Sequence, residues 1–180
     1  LEIYQRRERL RFTTAGRSGN EEYDIPDDLL RILGWVLTDG SLSKQQASIY
    51  QSDGPKLQKI LTLLGSLNWP YGLYHRQRPP PVIAGRQVRV ARPENHIFLH
   101  AGARAQVQAL IGDRHHLPAW TSCLSDRQAK VFLESLVDGD GSRAKNSNTP
   151  MLYCRMPLAS ELQAFFVTHG IACSLTEYRP

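Results

Sequence analysis

Two aspartates end two similar segments of the sequence, and they are the residues with the clearest capacity for chemistry. Asp39 closes the segment 32–39, Asp140 closes the segment 133–140, and a glycine follows each of them. Two carboxylates held close together repel each other unless a hard divalent cation binds between them. Mg²⁺ held by carboxylates and phosphate oxygens is a common means of hydrolysing a phosphodiester. An Asp-Gly pair alone is equally a simple helix end, but the matched pair favours a shared metal site.

Small side chains precede each aspartate at helical spacing. Gly34 and Thr38 lie four residues apart in the first segment, and Ser135 and Gly139 lie four residues apart in the second. Residues at this spacing share one face of a helix, so each pair predicts a narrow stripe that a second helix can approach closely. We therefore predict two helices in contact through these four residues, with both aspartates at the same end of the pair.

The rest of the chain supplies the elements that must position this pair, in two successive halves. The first half carries predicted helices over 29–37, 55–67 and 103–111, a strand that ends at 48–51, and a hairpin of 71–78 with 87–100. The second half carries predicted helices over 129–137 and 158–168 and strands over 151–155 and 171–178. The same order of elements recurs after about 100 residues. We predict a lead-in or linker over 1–23, a first repeat over 24–114 and a shorter second repeat over 115–180.

The composition excludes several classes of protein. The 180 residues are 41% hydrophobic and 22% charged, as expected of a globular chain with a real core. No apolar run reaches the roughly 18–20 residues of a membrane span, so we expect no membrane partner. The three cysteines form no CxxC pair and are too few for a disulfide framework, which favours a reducing, cytoplasmic setting.

The basic charge of the chain indicates a nucleic-acid partner. Of the 22 basic residues 17 are arginine, whose planar guanidinium pairs with phosphate and with guanine edges. A GC-rich source genome would also favour arginine, but the charge is concentrated: residues 71–114 carry seven arginines and two acids. Such a concentration is what a surface that faces phosphate requires.

The two segments that end in Asp39 and Asp140 resemble the paired motifs of LAGLIDADG (dodecapeptide, DOD-type) homing endonucleases, especially those found within inteins. The stretch His-His-Leu-Pro-Ala-Trp at 115–120 also resembles the intein-associated type. The resemblance covers residues 25–178 and implies an α+β fold, a pseudo-twofold repeat of αββαββα units. In that fold the motif helices lie at the repeat interface and two antiparallel sheets face the DNA.

The resemblance also implies roles for individual residues. Asp39 and Asp140 would bind Mg²⁺, Gln51 would orient the attacking water, and Asp138 occupies an earlier, non-catalytic position of the motif. Double-stranded DNA would be the partner of a monomeric, sequence-specific endonuclease. Hairpin arginines are expected to contact that DNA, namely Arg76, Arg78, Arg89 and Arg92, with Arg86 at the tip reaching phosphate.

Departures from the family pattern favour a second hypothesis. Met156 stands in the second half where Gln51 stands in the first, and none of the five lysines is an obvious candidate for the usual basic residue near the active centre. The alternative is a catalytically degenerate DNA- or RNA-binding module, such as a maturase or a transcription factor. A slow endonuclease or a nicking enzyme would be intermediate between the active endonuclease and the degenerate binding module.

The chain ends lack the residues that protein splicing requires. Neither Leu1 nor the final pair 179–180 supplies a nucleophile or a His-Asn pair. We therefore disfavour an intact self-splicing protein. An endonuclease region of a larger intein-containing chain fits the sequence, with 1–23 as a remnant of a splicing domain or a linker.

Overall fold

The protein has an α+β fold, as predicted from the sequence. The computed structural model describes residues 7–15, 21–76, 82–83, 86–87, 93–143 and 149–178, with side chains for 21–76, 93–143 and 149–176. Within these residues the helices are α1 (Asp27–Asp39), α2 (Pro55–Ser66), α3 (Ala101–Ile111), α4 (Asp126–Asp140) and α5 (Leu158–Thr168). The strands are β1 (Arg7–Ala15), β2 (Gly40–Ser43), β3 (Gln46–Ser52), β4 (Tyr71–Arg76), β5 (Val82–Ile83), β6 (Arg86–Gln87), β7 (Glu94–Leu99), β8 (Gly141–Arg143), β9 (Pro150–Cys154) and β10 (Ile171–Tyr178).

The two central helices begin and end on local signals in the sequence. α1 starts directly after Pro26 with two acids in its first turn, where they complement the positive end of the helix dipole. α4 starts with a complete capping box between Ser125 and Gln128. Both helices end at their aspartate, because the next residue, Gly40 or Gly141, has extended backbone angles and begins a strand.

Two four-stranded antiparallel sheets cover these helices. The first sheet has the order β2-β3-β7-β4, and the second has the order β8-β9-β1-β10. A separate two-stranded hairpin joins β5 to β6. Of the strand predicted over 87–100, β7 covers Glu94–Leu99 and Gln87 lies in β6, while residues 88–92 lie outside the described residues.

The N-terminal strand corrects the predicted lead-in. Residues 7–15, expected within a linker over 1–23, form β1 between β9 and β10 in the second sheet. Its neighbours follow it by more than 130 residues, so no local pattern could indicate this pairing. The second half therefore has a four-stranded sheet although its own segment of chain provides three strands.

A single apolar core joins the helices to both sheets. It contains side chains with no exposed surface from α1, α4 and α5, among them Trp35, Phe132 and Phe166. The sheets contribute Ile49, Ile97 and Leu152, which are equally buried. No helix in the described part of the chain is long and apolar enough to cross a membrane.

Candidate functional site

The helices α1 and α4 pack through the four small residues predicted for this contact. A Cβ atom on Gly34 would lie 2.4 Å from the Ser135 Oγ and 2.8 Å from its Cβ. A Cβ atom on Gly139 would lie 2.8 Å from the Thr38 Cβ, closer than real Cβ atoms approach. Each hydroxyl is bound within this seam, Ser135 donating to the Arg31 carbonyl and Thr38 to the Gly34 carbonyl at 3.0 Å. The contact is reciprocal, because a glycine of each helix packs against a hydroxyl residue of the other helix.

We expect Gly34→Ala to lower the free energy of unfolding by about 1–3 kcal/mol, the usual cost of overpacking. Gly65→Ala is the matched control, since a Cβ atom there meets nothing within 4 Å on α2. Because alanine favours helix over glycine, that change should stabilise the protein by up to about 1 kcal/mol. Urea denaturation measures both values.

The double variant Gly34→Ala/Ser135→Gly completes this test. Removing the Ser135 side chain reopens the space that the new methyl group would fill. The double variant should therefore be more stable than the sum of the two single changes predicts. Additive losses would contradict close packing of the two helices at this point.

The glycine after each aspartate is explained by a second close approach. A Cβ atom on Gly40 would lie 2.3 Å from the Val36 carbonyl oxygen, and one on Gly141 would lie 2.6 Å from that of Val137. Any larger residue would have to push the strand away from the last turn of the helix. The glycines therefore let β2 and β8 leave directly at the two aspartates.

The two aspartates interact electrostatically at the ends of these helices. The pKa of the Asp39 carboxyl is raised from 3.8 to about 6, first by burial and second by the negative charge of Asp140. The positive charges of Lys56 and Arg114 and a hydrogen bond from Gln51 act in the opposite direction. The site therefore holds two carboxylates that disfavour each other's ionisation.

Protein stability is expected to fall as the pH rises from about 4 to about 6. In this window the folded state retains the proton on Asp39 that the unfolded state, with a carboxyl pKa near 3.8, has already lost. The full rise in pKa corresponds to about 3 kcal/mol, and solvent screening of the half-buried Asp39 should reduce the decrease in the free energy of unfolding to about 2 kcal/mol, with a level curve above pH 6. Urea denaturation from pH 3.5 to 8 should show this difference between the wild type and Asp39→Asn, in which the proton cannot be lost. Parallel curves for the two proteins would exclude a raised pKa at Asp39.

Gln51 is placed beside Asp39 by the strand β3. Its Nε2 donates to the Asp39 Oδ2 at 3.2 Å, and its Oε1 accepts from the Ser52 backbone N–H at 3.0 Å. Both ends of the amide are thus held, which fixes the Gln51 side chain against the carboxylate.

The register of the sheets corrects the expectation that Met156 is the counterpart of Gln51 in the second half. Gly40 pairs with Ile49 and Gly141 pairs with Leu152, so the residue equivalent to Gln51 is Cys154, two residues after Leu152. The two halves therefore differ here, because Cys154 has no side-chain amide.

Asn95 is a buried polar residue next to this group that the sequence did not reveal. It lies in register with Gln51 on the adjacent strand β7 and has no exposed surface. Its Nδ2 donates to the Asp53 Oδ1 at 2.7 Å, whereas its Oδ1 has no hydrogen-bond partner among the described residues. A buried carbonyl oxygen of this kind needs a water or another donor. Its only sequence signal is a polar residue in an otherwise alternating apolar strand.

Arg114 joins the loop after α3 to the end of α1. Its guanidinium donates to the carbonyl of Gly40, to that of Leu37 at 3.2 Å and to that of Thr38 at 3.1 Å. These carbonyls lie at the negative end of the helix, where a cation is favourable. The pKa of the Arg114 guanidinium is lowered, first by burial and second by the positive charge of the neighbouring Arg155. The sequence placed it only within the basic stretch.

Two lysines of α2 reach the second helix, although no lysine was a candidate in the sequence. The Lys56 Nζ donates to the Gly139 carbonyl at 3.5 Å and lies 6.0 Å from the centre of the Trp35 ring. Lys59 forms an ion pair with Asp138. Lys56 is thus a basic group beside the carboxylate pair, which corrects the expectation that the site has no lysine.

The donor set at this site fits a hard divalent cation. No group of three or more His, Cys, Asp or Glu side chains in the described residues is arranged to hold a metal. Asp39 and Asp140 offer two carboxylates, and Mg²⁺ usually keeps several waters and takes one or two carboxylates together with phosphate oxygens. A cation there would also relieve the repulsion that raises the Asp39 pKa.

A cavity of about 180 Å³ opens beside the pair on the side of the second sheet. Its lining includes Asp140, Thr38 and Tyr153 together with the basic residues Arg114 and Arg155. Cations near a carboxylate of this kind provide a place for an anionic group such as a phosphate.

The predicted DNA-contact residues are described only in part. Arg76 ends β4 with an exposed side chain and lies in register with Glu94. Arg86 lies in β6 opposite Ile83. The other three, Arg78, Arg89 and Arg92, lie outside the described residues.

The first sheet carries a row of aromatic side chains on the face that includes Arg76. Tyr50 stacks on His96 with ring centroids 4.2 Å apart, and His96 contacts Phe98 at 3.7 Å. Tyr74, in register with His96, keeps 59% of its surface exposed. Burial is the largest cause that lowers the pKa of His96. This face is therefore aromatic and polar, in contrast to the apolar face that packs on the helices.

The chain is structurally similar to LAGLIDADG domains. The N-terminal LAGLIDADG domain of DUF199/WhiA superposes with a TM-score of 0.42 at 11% identity, over 83% of this chain and 88% of that one. Mesophilic variants of the homing endonuclease I-DmoI give 0.41 at 8% identity, over 79% and 96%. Full-length DUF199/WhiA from Thermatoga maritima gives 0.33 at 13% identity, over 83% and 58%. The sequence matches no protein-family model and no curated protein.

Proposed function

We propose that the protein is a metal-dependent endonuclease that hydrolyses double-stranded DNA at specific sequences. One observation carries this proposal: Asp39 and Asp140 interact at the matched ends of two helices that pack through reciprocal small residues. Two carboxylates that disfavour each other's ionisation lower the stability of the fold. A divalent cation bound between them would offset this repulsion and could act on a phosphodiester.

We further propose that the two halves form a pseudo-twofold repeat about the contact of α1 with α4. Each central helix is followed by a pair of strands and a further helix. Each half also contains one four-stranded antiparallel sheet. In the order of the sheets β8, β9, β1 and β10 correspond to β2, β3, β7 and β4. The reciprocal pairs of Gly34 with Ser135 and of Gly139 with Thr38 support the same axis.

In this proposal Asp39 and Asp140 would hold Mg²⁺, which supplies Lewis-acid chemistry at a phosphodiester when bound. Gln51 keeps the Asp39 carboxylate in one orientation and leaves its amide beside the site to position a water. Lys56 and Arg114 favour the ionised form of Asp39, which a metal ligand must adopt. Arg114 and Arg155 provide positive charge for the scissile phosphate in the adjoining cavity.

The sheet faces away from the helices would bind the duplex. Arg76 and the aromatic row of the first sheet supply positive charge and flat polar surfaces for such a contact. Affinity is expected to come largely from arginine–phosphate contacts and to weaken steeply with salt, while base-edge contacts in the major groove provide specificity. Arg78, Arg89 and Arg92 would extend this surface.

The alternative function is a nucleic-acid-binding module that does not cleave. One observation favours it: the charges of Lys56 and Arg114 partly offset the carboxylate pair, and the Asp39 pKa of about 6 lets the carboxyl hold a proton. The pair can therefore persist in the fold without a metal ion. The second half has Cys154 at the position equivalent to Gln51, and the absence of an amide there points in the same direction.

Selection from a randomised library of DNA duplexes at low salt distinguishes the two functions. The bound and the cut molecules are sequenced after incubation with Mg²⁺ and, separately, with Ca²⁺. An endonuclease should enrich one site among the bound molecules in both ions and cut it in Mg²⁺. Enrichment of a bound site with no cutting would support the binding module, and no enrichment would exclude both the endonuclease and a sequence-specific DNA-binding module.

A further inference from the structure

The strand β1 occupies an interior position of the second sheet. It pairs antiparallel with β10 from Arg7 to Ala15 and with β9 from Glu8 to Arg11. No pairing between β9 and β10 is present in the described residues, so β1 is what joins them. The N-terminal segment therefore belongs to the surface of the second half, although it precedes β9 by more than 130 residues.

Arginine alternates along this strand. Positions 7, 9 and 11 are arginine, and positions 8, 10 and 12 are glutamate, leucine and phenylalanine. Because successive strand residues lie on opposite faces of a sheet, the three arginine positions share one face. Leu10 lies in register with Leu152, which has no exposed surface, so positions 7, 9 and 11 are on the face opposite the core.

The residues in register with the three arginine positions on the adjacent strands are not acidic. Arg9 lies in register with Tyr153 and Thr176, and Arg11 lies in register with Met151 and Ser174. Ser174 and Thr176 are exposed, whereas Met151 and Tyr153 are half-buried. Hydroxyl and aromatic residues around closely spaced arginines are the composition of a phosphate-binding surface.

The spacing of these positions suits an extended polyanion. Alternate residues of a strand are about 6.8 Å apart, so the three arginines span about 14 Å. A duplex carries one phosphate per about 3.4 Å of axis on each strand, so several phosphates lie within that span.

We infer that the N-terminal strand provides the phosphate contacts of the second half, through Arg7, Arg9 and Arg11. This inference rests on the proposed function, since it assigns duplex DNA to this face. It makes the DNA-binding surface of the second half a composite of the two ends of the described chain, β1 and β10. The first half needs no such contribution, because β7 fills the equivalent place in its sheet.

The test compares DNA binding by the full chain with that of the triple variant Arg7→Gln/Arg9→Gln/Arg11→Gln. A fluorescent duplex of about 30 base pairs is titrated in Ca²⁺ at several KCl concentrations, and the slope of log affinity against log salt is measured. Removing one phosphate-binding arginine should reduce the magnitude of that slope by about 0.9, so the triple variant should show a reduction of about 2.7. Arg7→Lys/Arg9→Lys/Arg11→Lys, which keeps the charge, should retain most of the slope. Lys130→Gln, an exposed lysine on α4, is the control outside this face.

Circular dichroism and thermal melting establish that each variant is folded before binding is measured. If the triple variant is unfolded, the three single variants replace it, and the slope of each should fall by about 0.9. A folded variant with an unchanged slope, or a reduction equal to that of Lys130→Gln, would overturn the inference while wild-type binding upholds DNA as the partner. Wild-type protein that does not bind the duplex would instead overturn the proposed function, and the inference with it.

Discussion

Asp39→Asn is expected to abolish cleavage of the selected DNA site in Mg²⁺ while leaving binding in Ca²⁺ within a few-fold of the wild type. Asparagine keeps the size of the side chain and an oxygen for the hydrogen bond from Gln51. It removes the charge that a hard cation requires. Metal activation contributes several kcal/mol to such reactions, so the cleavage rate should fall at least about 10³-fold.

Asp138→Asn is the matched control for this change. Asp138 lies on α4, two residues before Asp140, and its carboxylate forms an ion pair with Lys59. A partly exposed ion pair contributes little to stability, so this variant should fold and cut as the wild type does. The rates are measured under single-turnover conditions at saturating protein. Cleavage by Asp39→Asn at the wild-type rate, or equal losses in both variants, would remove Asp39 from the proposed metal site.

The helices of the fold could be predicted because their signals are local. The apolar run of α1, the capping box of α4 and the glycine after each aspartate all lie within a few residues of the elements they define. The stripe of Gly34 and Thr38 could be identified for the same reason, and the structure places it against Ser135 and Gly139. Periodicity thus predicts which face of a helix is small or apolar, and two small faces indicate a close contact.

The parts that were missed depend on contacts between distant segments. Arg114 binds carbonyls more than 70 residues earlier in the chain, and Lys56 reaches Gly139 across the helix pair. Neither residue has a distinctive neighbour in the sequence, so only the packing of α2 and α3 around α1 brings them to the site. The position of β1 is the largest case: residues 7–15 are predicted as part of a linker, and nothing local indicates that they form a strand between β9 and β10.

The interior position of β1 leads to a strong effect on stability. Arg9→Pro is expected to lower the free energy of unfolding by about 2–4 kcal/mol, because proline lacks the backbone N–H and an interior strand cannot accommodate its ring without breaking the ladder. Position 9 lies in register with Tyr153 on one side and Thr176 on the other, so a distortion there affects the pairing with both β9 and β10. Urea denaturation measures the decrease.

Arg9→Thr separates this backbone effect from the removal of charge. Threonine favours strands, so the variant should stay within about 0.5 kcal/mol of the wild type and still bind DNA less tightly. Arg9→Pro should lose stability and DNA affinity together. Hydrogen exchange should locate the destabilised region in β9 and β10 and leave the ladder of β3 with β7 protected, because β1 makes no pairing with the first sheet. Equal stability of the proline and threonine variants would show that residues 7–15 do not form an interior strand, and the second sheet would then lack the segment that joins its two outer parts.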